Sequence, residues 1–406
     1  MMDEVIGRDE VLLTPENILM PEIDFAWDDV PNLPSILKSL RKHGPAVPIK
    51  YWDKPTWLIL DHADVDRCFH DQINFNIAEG HVSLVEPVMG HNVQCMSGEE
   101  HRQHRGLINP LFMPRAVRSY VERLIEPVAH ELLDRIEGKQ EVDFVPAFAQ
   151  TYPFTVITRL LGIPVKDEQQ MMKWAVKILE FAWDYEGGVA ARDAIDAYLR
   201  NIIEARRRLP LDDLLSAMMA AEFEGKKMDD EEILTFARLL FPAGSDTTYK
   251  NFGGLFYEVF GSEVLRERAK GSDADRQSIV SESLRLYPPI ALQIRMATGA
   301  AVIGDAKIKH GDWCLFGVMS ANRDPLLFPD PDKFDPSRDN RQLITFGRGT
   351  HFCLGMHLAR RELECALKIV LERFPDIRLA PAKPVEFVKA VFRGPRHLWV
   401  QPYGAA

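Results

Sequence analysis

From about residue 99 to residue 285, apolar residues recur at three- and four-residue intervals, the spacing of buried helix faces. A run of that length commits the chain to a helix-rich core. The flanks differ. The first hundred residues mix turn signals with short β-like runs such as TWLIL (56–60), and 288–345 read as short strands and irregular coil. Helix returns at 355–374, where Ala359, Leu363, Ala366, Leu367, Val370, Leu371 and Phe374 form one continuous stripe that Pro375 ends. A second long helix is expected to start at Asp229, with Asp229 and Glu232 as a capping box, and to run to about Phe260 with a disturbance at Pro242. The expected fold class is mainly α with a minor β portion.

A chain of 406 residues suggests roughly two to three domains by length alone. No repeat and no Gly/Ser- or Pro-rich linker divides it, and the 27 prolines are spread through short turns. One domain spanning residues 1–406 is therefore expected, with about the first 25 residues flexible. The formal charge of −11 argues against a nucleic-acid partner. Cys68, Cys95, Cys314, Cys353 and Cys365 are scattered, with no Cys-x-x-Cys pair. That excludes a disulfide framework or cysteine-rich zinc site and fits a reducing compartment. Residues 1–24 lack the pattern of a signal peptide, and no window of eighteen uncharged apolar residues occurs. A cytoplasmic protein without a membrane anchor is expected.

Cys353 carries the chemistry. It lies in FGRGTHFCLG (346–355), after a glycine-rich basic turn and directly before the amphipathic helix. A thiol at a helix amino terminus faces unpaired N–H groups and the positive end of the helix dipole, and Arg348 and His351 add positive potential. These effects favour thiolate, so Cys353 reads as a nucleophile or a soft metal ligand. The opposing reading is an inert buried cysteine, the expectation for most of the other four. Gly347, Gly349 and Gly355 leave room for a flat or bulky group to approach the backbone.

The pattern F-G-x-G-x-H-x-C-x-G, from Phe346 to Gly355, resembles the haem-binding signature of the cytochrome P450 family. Six specified positions make a chance match rare, on the order of 10⁻⁵. Other segments extend the resemblance, in order, over residues from about 95 to 375. Ala243-Gly244-Ser245-Asp246-Thr247-Thr248 is similar to the family's oxygen-activation motif, and Glu282-Ser283-Leu284-Arg285 to its Glu-x-x-Arg. Phe334–Arg338 resembles the segment that supplies the second arginine of an ion-pair triad. His101 with Arg105, and later Arg295, resemble contacts to the haem propionates.

The resemblance implies the cytochrome P450 fold, with haem b between the central long helix and the helix following the Cys353 loop. Cys353 would ligate the iron, and thiolate ligation favours oxygen activation over oxygen carriage. Cofactor-binding roles fall to His101, Arg105, Ala243, Gly244, Arg295, Phe346, Gly347, His351 and Gly355. Buried propionates demand counter-charges, for which His101, Arg105, Arg295 and His351 are the candidates. GEEHRQHR also reads as a solvated helix face, and a zinc site at His101 and His104 lacks a second ligand pair. Asp246 and Thr247 form an acid–alcohol pair suited to proton delivery. Their structural alternatives are a salt bridge for Asp246 and, for Thr247, a back-bond to the carbonyl four residues earlier. Glu282, Arg285 and Arg338 read as structural.

The activity implied is that of a monooxygenase acting with O₂ on a small hydrophobic substrate. Electrons would come from an iron–sulfur ferredoxin and its reductase, drawing on NAD(P)H. Residues 346–361 hold three arginines, two histidines and no acid, a basic face for such a donor. By family analogy the substrate pocket draws on 76–92, 177–185, the central helix, 289–293 and 391–393, which are mostly apolar. A monomer is expected. The competing functions are a peroxygenase or isomerase on the same fold, and a non-catalytic haem sensor.

Overall fold

The computed structural model describes residues 22–404, so the expectation for the first 25 residues falls largely outside the described ones. Helices dominate and the strands are short, in agreement with the expected class. The chain divides into two compact units. One comprises the residues up to Ile77, Lys250–Cys353 and the stretch from Ile377 onward; the other comprises Ala78–Tyr249 and Leu354–Asp376.

In the first unit, a four-stranded sheet has the order Ala46–Tyr51, Lys54–Ile59, Trp313–Phe316, Gln293–Met296. The first two strands form an antiparallel hairpin in which Tyr51 faces Lys54. Its two turn residues, Trp52 and Asp53, have φ of 53° and 56°, values that neither residue type favours. The Asp24 carboxylate accepts from both of their backbone N–H groups, at 3.1 and 2.7 Å, and so holds the turn. The third strand joins the second in parallel, Trp57 opposite Cys314, and the fourth is antiparallel to it, Arg295 opposite Cys314.

Side chains alternate across this sheet as the two-residue period requires. Leu58 and Leu315 join one apolar cluster with Leu33, Leu37 and Leu40. Trp57, Ile59, Cys314 and Phe316 join another with Phe69 and Phe75. Both faces are therefore buried, and each enclosed Leu or Phe contributes roughly 1.5–3 kcal/mol. The run expected at 56–60 is observed as the strand Lys54–Ile59, which begins two residues earlier and stops before Leu60.

In the second unit, the main helices are Gly98–Ile108, Thr151–Leu160, Glu168–Leu179, Tyr185–Arg208, the first part of Asp230–Gly261, and Met356–Arg373. The central helix Asp230–Gly261 begins as expected. The Asp229 N–H donates to Glu232 Oε2 at 2.9 Å, and the Glu232 N–H donates to Asp229 Oδ1 at 2.8 Å. The expected disturbance at Pro242 does not interrupt it, and helix runs through the proline. The carbonyl left without its helical donor by Pro242 is that of Arg238, while the hydroxyls of Ser245 and Thr247 bond back to the carbonyls of Phe241 and Ala243.

The helix expected at 355–374 is observed at Met356–Arg373, with its apolar stripe buried from Leu363 onward and Ala359 half-buried. Glu362, which the stripe did not anticipate, is buried too, and among the described residues its Oε1 has no hydrogen-bond partner. Burial pushes its carboxyl well above the usual range.

Candidate active site

The turn leading to Cys353 is built by backbone bonds within the first unit. The Gly347 N–H donates to Ile344 O at 2.9 Å, the Phe352 N–H to Gly349 O at 3.2 Å, and the Cys353 N–H to Phe346 O at 3.0 Å. Gly347 and Gly349 have φ of 69° and 72°, where a side chain is strained. At Gly349 a Cβ would also lie 2.6 Å from the Phe69 carbonyl oxygen. At Gly355 it would meet nothing within 4 Å.

Cys353 is exposed, three residues before Met356 opens its helix, while Cys68, Cys95, Cys314 and Cys365 are buried. Burial pushes the Cys68 and Cys365 thiols up to about 12 and Cys95 up to about 11, and Cys314 rises as well. These four are inert thiols, as expected. The basic turn differs from expectation at one residue. Arg348 pairs with Asp66 at 3.3 Å, which commits its charge there rather than to the sulfur.

Arg295 is enclosed in the same unit. Its guanidinium lies 5.7 and 5.5 Å from the ring centres of Phe69 and Phe316, and Nη1 donates to Ile294 O at 2.7 Å. Among the described residues no carboxylate pairs with it, and burial alone pushes its pKa down to about 9. A buried cation without a counter-ion calls for an anionic ligand. Haem propionate fits that demand, as the exposed Cys353 thiol fits iron.

The expected ion-pair triad is present and holds the approach to the turn. Glu282 accepts from Arg285 Nε and Nη2 at 2.8 and 2.7 Å, with both side chains wholly buried. Arg338 Nε lies 3.5 Å from Glu282. Three residues that sequence reasoning missed complete the arrangement. Asn340 Nδ2 donates to Glu282 at 3.0 Å, Asn322 accepts from the Ile344 N–H at 2.9 Å, and Thr345 Oγ1 donates to Leu284 O at 2.6 Å. The segment entering the Cys353 turn is thereby tied to the helix Asp273–Leu286. Amides and hydroxyls in an otherwise irregular stretch are the only sequence signal these residues offer.

The remaining site candidates lie in the second unit, apart from Phe346 and His351, which are half-buried in the first. On the central helix Ala243 is exposed, and Gly244, Asp246 and Thr247 are half-buried. Thr247 Oγ1 donates to Ala243 O at 2.8 Å, the back-bond that was its structural alternative. Gly244 has a packing reason to be glycine, since a Cβ there would come within 2.7 Å of the Ile157 side chain. Asp246 and Ser245, with Gln150 and Tyr249, line a small open cleft of about 30 Å³ whose apolar wall includes Met172 and Leu179.

His101 is buried, and burial with neighbouring Arg105 and His104 pulls its pKa down. Arg105 Nε donates to Asn109 at 2.9 Å. His104 contacts Glu232 at 2.7 Å, which makes it a structural partner of the helix cap rather than a zinc ligand. Among the described residues no cluster of three or more potential metal ligands occurs. The basic face is partly neutralised. Arg361 pairs with Glu364 at 2.8 Å; outside that face, Arg102 on the helix Gly98–Ile108 is bound by both Glu99 and Glu224.

The sequence matches the model of the cytochrome P450 family over residues 28–259 and 276–386. The chain belongs to the cytochrome P450 family. PksS of Bacillus subtilis, a polyketide-biosynthesis cytochrome P450, is 34% identical over 300 residues, which are 72% of this chain and 73% of PksS. Its solved structure superimposes with a TM-score of 0.85 at 30% identity, covering 91% of this chain and 97% of that one. The erythromycin C-12 hydroxylase of Saccharopolyspora erythraea is 30% identical over 377 residues, 89% of this chain and 92% of its own. CYP109E1 of Bacillus megaterium, solved with testosterone, gives a TM-score of 0.81 at 27% identity, covering 91% and 99%.

As a cytochrome P450 the chain is an oxidoreductase of the monooxygenase class, with a haem cofactor and a need for a redox partner. No helix among the described residues is long and apolar enough to cross a membrane.

Proposed function

We propose that this cytochrome P450 is a haem-thiolate monooxygenase that hydroxylates a small hydrophobic molecule, with 1–406 acting as one haem domain. The observation that carries the reading is the Cys353 turn. It exposes one thiol of five on a loop whose two glycines hold backbone conformations that other residues avoid. The cofactor in this reading is haem b, which, when held by a thiolate, supplies O₂ activation at the expense of two electrons.

The residues divide the remaining work. Cys353 Sγ holds the iron, while Arg295, His101, Arg105 and His351 hold the propionates. Phe346, Gly347 and Gly355 shape the backbone on the thiolate side, and Ala243 and Gly244 keep the central helix free of bulky groups. Asp246, on the wall of its cleft, supplies the acid of the proton-delivery pair. Thr247 Oγ1 would turn from the Ala243 carbonyl to donate a hydrogen bond, taking up from Asp246 any proton that it passes on.

Electrons come from an iron–sulfur ferredoxin whose reductase uses NAD(P)H, in the cytoplasm, to a monomeric enzyme. Arg360 and Arg361, close to Cys353 in sequence, support docking of an acidic donor. Relatives named for erythromycin and polyketide chemistry, and one solved with testosterone, support a hydrophobic substrate.

The test is a spectral one. The reduced carbon monoxide adduct of the purified protein is expected to show thiolate character that Cys353→Ser abolishes. A panel of hydrophobic compounds is then expected to include some that shift the iron from low to high spin. An adduct without thiolate character overturns the reading. Full reduction rates at high salt in Arg361→Glu would remove the ferredoxin face from it.

A further inference from the structure

Residues 223–226 form a tight hairpin against the helix Gly98–Ile108. The Phe223 N–H donates to Lys226 O and the Lys226 N–H to Phe223 O, both at 3.0 Å. The residues between them, Glu224 and Gly225, have φ of 52° and 80°, the sign that so short a hairpin turn demands. Glycine adopts that conformation freely, whereas glutamate is strained in it.

The hairpin grips the helix at Gly106, Arg102 and His104. Phe223 lies so close over Gly106 that a Cβ there would come within 2.6 Å of its ring. Arg102, one turn earlier, holds its guanidinium 5.4 Å from the centre of the same ring. Its Nη1 and Nη2 donate to the two carboxylate oxygens of Glu224 at 2.9 and 2.5 Å, while Nε serves Glu99 at 2.8 Å. Lys226 Nζ lies 3.2 Å from His104 Nε2 and 3.1 Å from Glu232 of the central helix.

Exposed ion pairs alone contribute little, so the ring in its glycine notch carries the contact. The two-pronged pairing of Arg102 with Glu224 has one preferred geometry and sets the register of that contact. It also gives a reason for glutamate at a strained turn position. His101 and Arg105 each precede a gripped residue, Arg102 and Gly106. Successive residues of a helix point about 100° apart, so a hold on 102 and 106 also fixes the directions of 101 and 105.

We propose that Phe223 is a positioning residue: through Gly106 and Arg102 the hairpin fixes the rotation of the helix Gly98–Ile108 about its axis, and so aims His101 and Arg105 at the haem propionates. The hold on the helix stands on this geometry alone. Its effect on the cofactor rests on the haem-enzyme reading and on the propionate roles of those two residues.

Amide hydrogen exchange on the haem-loaded protein tests the hold. Exchange in 98–108 is expected to rise about tenfold in Phe223→Ala and to keep the parent rate in Phe223→Tyr, which retains a ring over Gly106. Unchanged exchange in Phe223→Ala overturns the proposal. An equal rise in the helix Asp273–Leu286 also overturns it, because that is the mark of general destabilisation.

Haem transfer to apomyoglobin tests the effect on the cofactor. Phe223→Ala is expected to release haem about tenfold faster than the parent, and Phe223→Tyr at the parent rate. The double variant His101→Gln/Arg105→Gln is expected to release it faster as well. Adding Phe223→Ala to that pair should change the rate by less than about twofold, because the residues through which the ring acts are already gone. A full further tenfold in the triple variant overturns the positioning role. A double variant that holds haem as the parent does would instead remove the propionate reading, and the aim with it, and leave the exchange result standing.

Discussion

Glu282 and Arg285 lie one turn apart on the helix Asp273–Leu286, joined by two hydrogen bonds of 2.7 and 2.8 Å, and neither side chain exposes any surface. Burying two charges costs several kcal/mol each, and their attraction repays this only when the remaining polar atoms are also satisfied. Here they are. The Asp335 N–H and Asn340 Nδ2 donate to Glu282, and Arg285 donates to the carbonyls of Asn322, Pro331 and Lys333. The pair is a fastener for the irregular chain that leads into the Cys353 turn.

Glu282→Ala would strand the Arg285 guanidinium in the interior, at a cost of about 3–5 kcal/mol. The expected outcome is protein that fails to take up haem, read as the ratio of haem absorbance to protein after purification. A variant with full haem content and a normal thiolate spectrum would contradict the fastening role.

Gly349→Ala and Gly355→Ala separate two kinds of glycine. At Gly349 the positive φ and the contact with the Phe69 carbonyl both oppose a methyl group, with about 1–3 kcal/mol expected from the backbone strain. At Gly355 φ is −83° and no protein atom lies within reach. Thermal unfolding should show Gly349→Ala clearly destabilised and Gly355→Ala close to the parent. Equal melting temperatures would argue against the described turn geometry.

Arg295→Met should move stability and haem retention in opposite directions. The guanidinium is buried without a carboxylate, so the haem-free chain loses an unpaired internal charge and is expected to be as stable as the parent or more so. Haem retention should fall, since the proposed propionate partner is gone. Unchanged resistance to haem extraction by apomyoglobin would dissociate Arg295 from the cofactor.

His91 supplies a pH dependence. Its hydrogen bond to Glu86 raises its pKa above the ordinary histidine value, against the effect of burial, and Glu100 adds to the rise. A raised folded-state pKa favours the protonated form on folding. The resulting stability is fully present below the unfolded value and fades as pH rises through the folded one. His91→Gln should therefore lower the melting temperature more at about pH 6 than at about pH 8.5. An identical decrement at both would show that protonation of His91 plays no part.

What could be read in advance was mostly local. The Asp229–Glu232 cap depends on residues three apart, and the stripe from Ala359 to Phe374 repeats within one helix, so neighbouring letters reveal both. Arg361 could also have been matched with Glu364, three residues on. The partners of Arg348 and Arg102 could not. Asp66 is 282 positions from Arg348 and Glu224 is 122 from Arg102, and exposed-looking charges give no hint of which distant acid they meet. Glu362 was hidden for the opposite reason, because an acid on an amphipathic helix reads as belonging to the wet face. At Pro242 the expectation rested on the lost donor, the clash of the ring with the preceding turn and the tolerance of Gly244, yet one missing bond in a helix of 32 residues leaves the helix continuous.

The parallel pairing of Lys54–Ile59 with Trp313–Phe316 has a consequence for biosynthesis. Trp57 leaves the ribosome about 250 residues before Cys314, its partner across the sheet, so at roughly 5–20 residues per second the amino-terminal hairpin waits some tens of seconds with one edge unpaired. During that interval an apolar strand edge is open to other nascent chains. Yield in a host should accordingly depend on how well that waiting edge is shielded, by holding chaperones or by slower initiation, more than on the stability of the finished fold.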